Sequence, residues 1–259
     1  MPIDRMYRPL VAAVAVTALY LTSGCSTDAA KPAAAASARG AHTDSARGVV
    51  VAPATPYLPG RSGPAALAIN VGRDSVAPPA RAVDGTCEVA AAPQSTANEA
   101  VVWVDGIRQG KPLPQARRYE LVSSGCALSP RMQGVVVGGA INVYNDDVVL
   151  HKLIFMRAGT ADTLQTMPFT NGAQLVATDR LTKTAGIVEV RCVKHPLERA
   201  YIAVFDHPYF GVASAGATVI LDSVPAGDFQ VLTWHEGMTT PTTVATKVGA
   251  TGQTQVVVK

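Results

Sequence analysis

Aromatic residues are scarce in this sequence, 5% of 259 residues, and most of them lie after Val101. The first 100 residues are crowded with alanine instead, so that stretch lacks the large side chains from which a core is built. No basic run is present either. The net charge is +3 and the arginines are scattered, which leaves nothing to track a phosphate backbone and excludes nucleic acid as a partner. Gly-rich phosphate loops, a nucleophile elbow and paired-carboxylate spacing are absent, so neither a phosphate cofactor nor an enzyme is expected. No segment shows sustained helical periodicity with caps, and Ala173–Ala185 offers at most a turn or two. Apolar runs of the roughly 20 residues that a membrane-spanning helix needs are also missing.

What is present begins with a targeting signal. Arg5 and Arg8 precede the uncharged apolar run Leu10–Leu21, which is too short to span a bilayer and leads into Leu21-Thr22-Ser23-Gly24-Cys25. That tail resembles a bacterial lipobox, in which the signal is cut before a cysteine that is then lipidated. Here Thr22 stands where leucine is usual, with Leu21 one step earlier. Residues 1–24 are therefore expected to be a lipoprotein signal peptide and Cys25 the lipidation site. The chain is then anchored to a membrane at the cell envelope, facing the periplasm or exterior. Residues 25–83, rich in Ala, Pro and Ser with Tyr57 as the only aromatic after the signal, read as a disordered linker spanning on the order of 40 Å. The short apolar stretch Gly48–Tyr57 is not expected to pack.

From Thr86 onward, β-branched runs alternate with turn residues. Strands are expected at Ala100–Val104, Arg118–Val122, Gly134–Val137, Ala140–Tyr144, His151–Met156, Gly186–Arg191, Tyr201–Phe205, Thr218–Leu221, Phe229–Trp234 and Gln253–Val258. Turn signals stand at Asp105-Gly106, Asn171-Gly172 and Pro225-Ala226-Gly227. Many short strands at a spacing of about ten residues predict an all-β sandwich or barrel. Trp103, Trp234, Tyr209 and Phe210 read as core, and His207 and His235 as structural residues at strand ends.

The chemistry concentrates in Arg191-Cys192-Val193-Lys194-His195-Pro196-Leu197-Glu198. A cysteine and a histidine three apart at a strand end can reach one ion across a tight loop, and His151 opens another apolar strand. A thiolate and two imidazoles form the soft trigonal set that suits copper in electron-transfer sites, with a weak axial ligand. Alone, Cys-x-x-His is a common chance pair.

Its surroundings are more specific. Gly134-Val135-Val136-Val137-Gly138, Ile141-Asn142-Val143-Tyr144-Asn145, His151 and Cys192-x-x-His195 resemble the landmarks of cupredoxins in their order. They are most similar to plastocyanin-like periplasmic proteins of the methylamine-utilisation-like group. Asp206-His207-Pro208-Tyr209-Phe210, Val224-Pro225-Ala226-Gly227 and Trp234-His235-Glu236 extend the resemblance. It implies a cupredoxin-like Greek-key β-sandwich over residues 84–203 and a small C-terminal β-sandwich extension, carboxypeptidase-regulatory-like, over 204–259. The two would share the strand through Tyr201–Phe205. It also implies copper as cofactor, held by His151, Cys192 and His195, and a redox partner protein. Two positions depart from the pattern: Glu198 stands where short-loop cupredoxins carry an axial Met, so it is either a harder axial ligand to the metal or a solvent-facing residue, and Lys152 follows the first histidine where Asn is common.

The cysteines leave two arrangements open. With Cys25 lipidated, pairing of Cys87 with Cys126 leaves Cys192 as a free thiolate for copper. The register implied by the resemblance also brings Cys126 close to Cys192. A Cys126–Cys192 disulfide would staple the sandwich into a metal-free binding or scaffold module.

Overall fold

The computed structural model describes residues 56–60, 63–72, 99–170 and 172–258. In chain order its strands are β1 (Leu58–Pro59), β2 (Ala66–Val71), β3 (Glu99–Asp105), β4 (Gln109–Gly110), β5 (Arg118–Ser124), β6 (Ala127–Ser129), β7 (Met132–Val136), β8 (Ala140–Asn145) and β9 (His151–Arg157). They continue with β10 (Thr163–Phe169), β11 (Gln174–Thr178), β12 (Gly186–Cys192), β13 (Arg199–Phe205), β14 (Phe210–Ser214), β15 (Thr218–Leu221), β16 (Gly227–His235), β17 (Thr242–Val248) and β18 (Gln253–Val258). Each of the ten expected strands is present to within two residues at either end. A single 3-10 turn, Arg180–Thr182, is the helical element among the described residues, and none of them forms a helix able to cross a membrane.

The strands form a largely antiparallel, all-β architecture of cupredoxin-like Greek-key type. A five-stranded sheet, β10-β9-β12-β13-β7, faces a four-stranded one, β11-β8-β5-β6, across a core of Leu121, Val143, Phe155, Val190 and Ile202 among others. A second pair of sheets, β14-β3-β16-β17 and β15-β2-β18, encloses another core that includes Leu67, Ile69, Val102, Val231 and Val256.

The two sandwiches are welded face to face. Strand periodicity sends alternate side chains to opposite sides. Along β13, Ala200, Ile202 and Val204 enter the first core, while Tyr201, Ala203 and Phe205 enter a third. Along β3, Ala100, Val102 and Val104 enter the second core, and Val101 and Trp103 meet the third. Four sheets thus stack in layers with apolar packing between each pair, which is why these two strands read as nearly continuous apolar runs. Trp103, Trp234 and Tyr209 are buried as expected. Phe210 stacks on Phe205 at 4.4 Å between ring centroids.

The expected boundaries differ from this arrangement. The linker read over 25–83 contributes β2, the central strand of its sheet, with Leu67 and Ile69 fully buried. Tyr57 also packs, edge to face with Tyr209 and with its hydroxyl donating to the Lys111 carbonyl at 2.6 Å. The second sandwich is therefore not only C-terminal, because β2 and β3 join it from upstream of the first. Alanine-rich sequence concealed β2, whose Leu67, Ile69 and Val71 enter the second core while Ala66 and Ala68 lie in the opposite register. The expected signal peptide, Cys25, Cys87 and most of the expected linker lie outside the described residues.

Gly134 shows how tight the weld is. A Cβ built there would meet the Phe210 ring at 2.6 Å. Gly134→Ala should therefore force the ring aside and destabilise the protein by roughly 1–3 kcal/mol, read as a lower urea midpoint.

Candidate metal centre

His151 is the first residue of β9 and Cys192 the last of β12. Cys192 pairs in register with Leu153, so His151 lies just past it at the sheet's end. His151, Leu153 and Phe155 share the inward face with Val188, Val190 and Cys192. Between β12 and β13 the chain makes a tight loop, closed by the Cys192 N–H donating to the Glu198 carbonyl (3.0 Å) and the Glu198 N–H to the His195 carbonyl (2.9 Å). A third bond, from the Val193 N–H to the Lys152 carbonyl at 2.9 Å, ties the loop to β9. These bonds turn His195 and Glu198 inward beside Cys192.

Four side chains meet there, and every one is buried. The Nδ1 atoms of His151 and His195 are 3.3 Å apart, and the Cys192 sulfur lies 3.8 Å and 3.5 Å from them. Glu198 Oε2 is 2.8 Å from His151 Nδ1 and 3.3 Å from His195 Nδ1. Donors held about 2.0–2.3 Å from one ion stand roughly 3.3–3.8 Å apart when arranged trigonally. The two imidazoles and the thiol fit that spacing. Glu198 lies close enough to both imidazoles to be a fourth donor. The donor set and its spacing both fit a single copper ion. His195 is the most exposed of the four at 7%, against 0–3% for the rest, so the site meets solvent at that ring.

Cys192 is a free, buried thiol, and Cys126 is disulfide-bonded. The staple between Cys126 and Cys192 is therefore not the arrangement adopted. The two lie on different elements, with Cys126 in the β5–β6 turn and Cys192 turned into the cluster of imidazoles. Cys126, Asp147 and His151 form a second close group of donors. There the disulfide already occupies the sulfur, so this group is not an ion site.

Sequence reading missed two residues. Ser123, fully buried on β5, reaches from the opposite sheet and donates its hydroxyl to Glu198 Oε1 at 2.5 Å. Asp147 Oδ2 lies 3.1 Å from His151 Nε2. The signal for Ser123 was a polar residue in the inward register of β5, which is otherwise filled by Tyr119 and Leu121. Asp147 stands four residues before His151, in the loop that delivers it. Lys152 is exposed and braces the loop only through its backbone carbonyl.

Charge sets the protonation of His151. Burial pushes its pKa down, but the Cys192 sulfur and the Glu198 carboxylate outweigh burial and raise it to about 10. In the metal-free protein a proton thus rests among these donors. Because the folded pKa lies above that of an exposed ring, this proton stabilises the fold fully below about pH 6.5, and the contribution is lost as pH rises towards 10. The metal-free protein should melt several degrees lower at pH 10 than at pH 6.5, each kcal/mol lost lowering Tm by about 2–4 °C. Scanning calorimetry across that window measures it.

The other expected structural histidines are so placed. His207 is buried, and its Nδ1 accepts the Tyr209 N–H at 3.1 Å. Burial, then the nearby Arg108, lowers its pKa to about 4 and keeps the ring neutral. His235 Nδ1 lies 2.9 Å from the Glu236 carbonyl.

No family model matches the sequence, and no curated protein matches it. Solved structures do. A purple cupredoxin from Nitrosopumilus maritimus aligns with 34% of this chain and 99% of its own, at 17% identity and a TM-score of 0.29. Amicyanin from Paracoccus versutus aligns with 36% of this chain and 85% of its own, at 19% identity and 0.30. A copper-containing nitrite reductase from Thermus scotoductus covers 40% of this chain with 24% of its own, at 18% and 0.30. These are distant likenesses to cupredoxin-fold proteins, and at such scores they carry no argument about chemistry, which rests on the four buried side chains themselves.

Proposed function

We propose that this protein binds one copper ion through His151, Cys192 and His195, with Glu198 as fourth ligand, and passes single electrons to or from a partner protein at the cell envelope. The observation that carries this reading is a free, buried thiol with two imidazole nitrogens at trigonal spacing. Copper at this position supplies a one-electron couple. The chain's own residues do the rest. Both histidines approach from anchored backbone, one on β9 and one in the hydrogen-bonded loop, so the donors need little rearrangement when charge changes. Ser123 holds the Glu198 carboxylate, and the surrounding apolar core excludes water from the thiolate.

His195, at the solvent edge, is the port for electrons. Val193, between the two loop ligands, is 51% exposed, while Val148 and Leu150, just before His151, are 85% and 46% exposed. They supply an apolar surface on which a redox partner can dock. A lipid on Cys25, with the following segment as tether, would hold the protein to the membrane. Membership of the methylamine-utilisation-like group, with a carboxypeptidase-regulatory-like second sandwich, belongs to the same proposal and rests on the sequence motifs.

Titration with Cu(II), followed by visible absorption, tests the reading. Saturation at one equivalent supports it. A protein with its Cys192 thiol intact that takes up no copper contradicts it.

A further inference from the structure

We propose that Asp147 is a positioning residue for His151, fixed in place by the disulfide-bonded turn at Gly125–Cys126. The inference rests on the copper reading above and concerns what holds the first histidine. When Nδ1 of His151 binds a metal, the ring proton must sit on Nε2. That atom is wholly buried and makes no well-aligned hydrogen bond, so it needs an acceptor. Asp147 Oδ2 lies 3.1 Å away, off the direction of the N–H but close enough for the carboxylate charge to act on the ring. A histidine ligand whose second nitrogen faces a carboxylate is oriented by it and made a stronger donor.

The carboxylate is itself clamped. Its Oδ1 accepts the Gly125 N–H at 2.6 Å and its Oδ2 the Cys126 N–H at 3.0 Å. Both donors belong to one turn, in which Gly125 and Cys126 have φ of 60° and 56°, and Cys126 is disulfide-bonded. Nearby, Asn145 Nδ2 donates to the Asp147 carbonyl at 2.9 Å, and the Asp146 N–H donates to the Ser123 carbonyl at 2.9 Å. The loop carrying Asp147 is thus pinned to the strand that carries Ser123, the residue holding Glu198. The carboxylates nearest the two ends of the donor set are anchored to one element, β5 with its turn.

The test compares copper binding and reduction potential in the wild type, Asp147→Asn, Asp147→Glu and Cys126→Ser. Loss of the charge in Asp147→Asn should weaken Cu(II) affinity about 10–100-fold. It should also raise the potential, because a weaker imidazole donor stabilises Cu(II) less. Asp147→Glu should restore part of both, and Cys126→Ser should shift both in the same direction as Asp147→Asn but less. A role confined to packing would leave the potential unmoved. If Asp147→Asn folds poorly, Asp147→Glu carries the test, with smaller shifts of the same sign. If the wild type binds copper while Asp147→Asn matches it in affinity and potential, the positioning role is overturned and the copper reading stands. If the wild type binds no copper, the copper reading fails and this inference falls with it.

Discussion

Replacing Cys192 with serine will abolish the visible absorption of the copper-loaded protein while leaving the fold in place. Cys192 is the soft donor in the cluster, and the intense band of a copper–thiolate site needs charge transfer from that sulfur. The two imidazoles and Glu198 remain in the variant and can still hold Cu(II), but as a hard nitrogen–oxygen site with weak colour. Serine is close in size, and its hydroxyl has Glu198 and two histidines nearby as hydrogen-bond partners, so circular dichroism should be unchanged. The comparison is decisive because it separates the identity of the donor from the shape of the pocket. A variant that keeps the full band would show that the sulfur is not a ligand.

The second large effect is expected from Glu198→Met. Glu198 is fully buried, accepts the Ser123 hydroxyl and faces both histidines. In the metal-free protein it stabilises protonated His151, and removing one partner of a buried pair costs about 3–5 kcal/mol. Urea unfolding at pH 6 should show a loss of that size, and the decline in stability between pH 6.5 and 10 should shrink, because one of the two groups raising the His151 pKa is gone. In the copper-loaded protein the change runs the other way for Cu(I). A thioether is softer than a carboxylate, so the reduction potential should rise. Voltammetry reads that shift. An unchanged potential would mean that Glu198 is not a ligand and serves the metal-free state alone.

How far the sequence reveals this architecture depends on where a strand lies. All ten expected strands were recognisable because burial on one or both faces leaves an alternating or continuous apolar signature, as in β3 and β13. Of the longer strands that escaped, β10, β11, β14 and β17 are all sheet edges. Edge strands carry polar and exposed residues, such as Thr163 and Thr166 on β10 and Thr242 and Thr243 on β17, so their periodicity is faint. Strand β2 was hidden for the opposite reason, since Ala66 and Ala68 look like the alanine-rich surroundings even though the strand is central. The order of the sheets, with upstream strands joining the C-terminal sandwich, depends on long-range pairing that local pattern does not encode.

The candidate site divides along similar lines. His151, Cys192, His195 and Glu198 could be found because three fall within one short loop and the fourth opens a strong strand. Ser123 leaves only a polar residue in an inward register as its trace, and Asp147 leaves none, since each gains its role through a partner distant in sequence or through the turn that clamps it. The fate of Cys192 was equally a matter of three dimensions. Cysteine count allowed either pairing, and only the inward turn of the β12–β13 loop commits the sulfur to the imidazoles.

X-ray absorption at the copper edge of the loaded protein tests the convergence of these side chains most directly. One short copper–sulfur distance together with two imidazole nitrogens around a single ion is the expected result. A spectrum built of nitrogen and oxygen neighbours alone, with no sulfur, would contradict it.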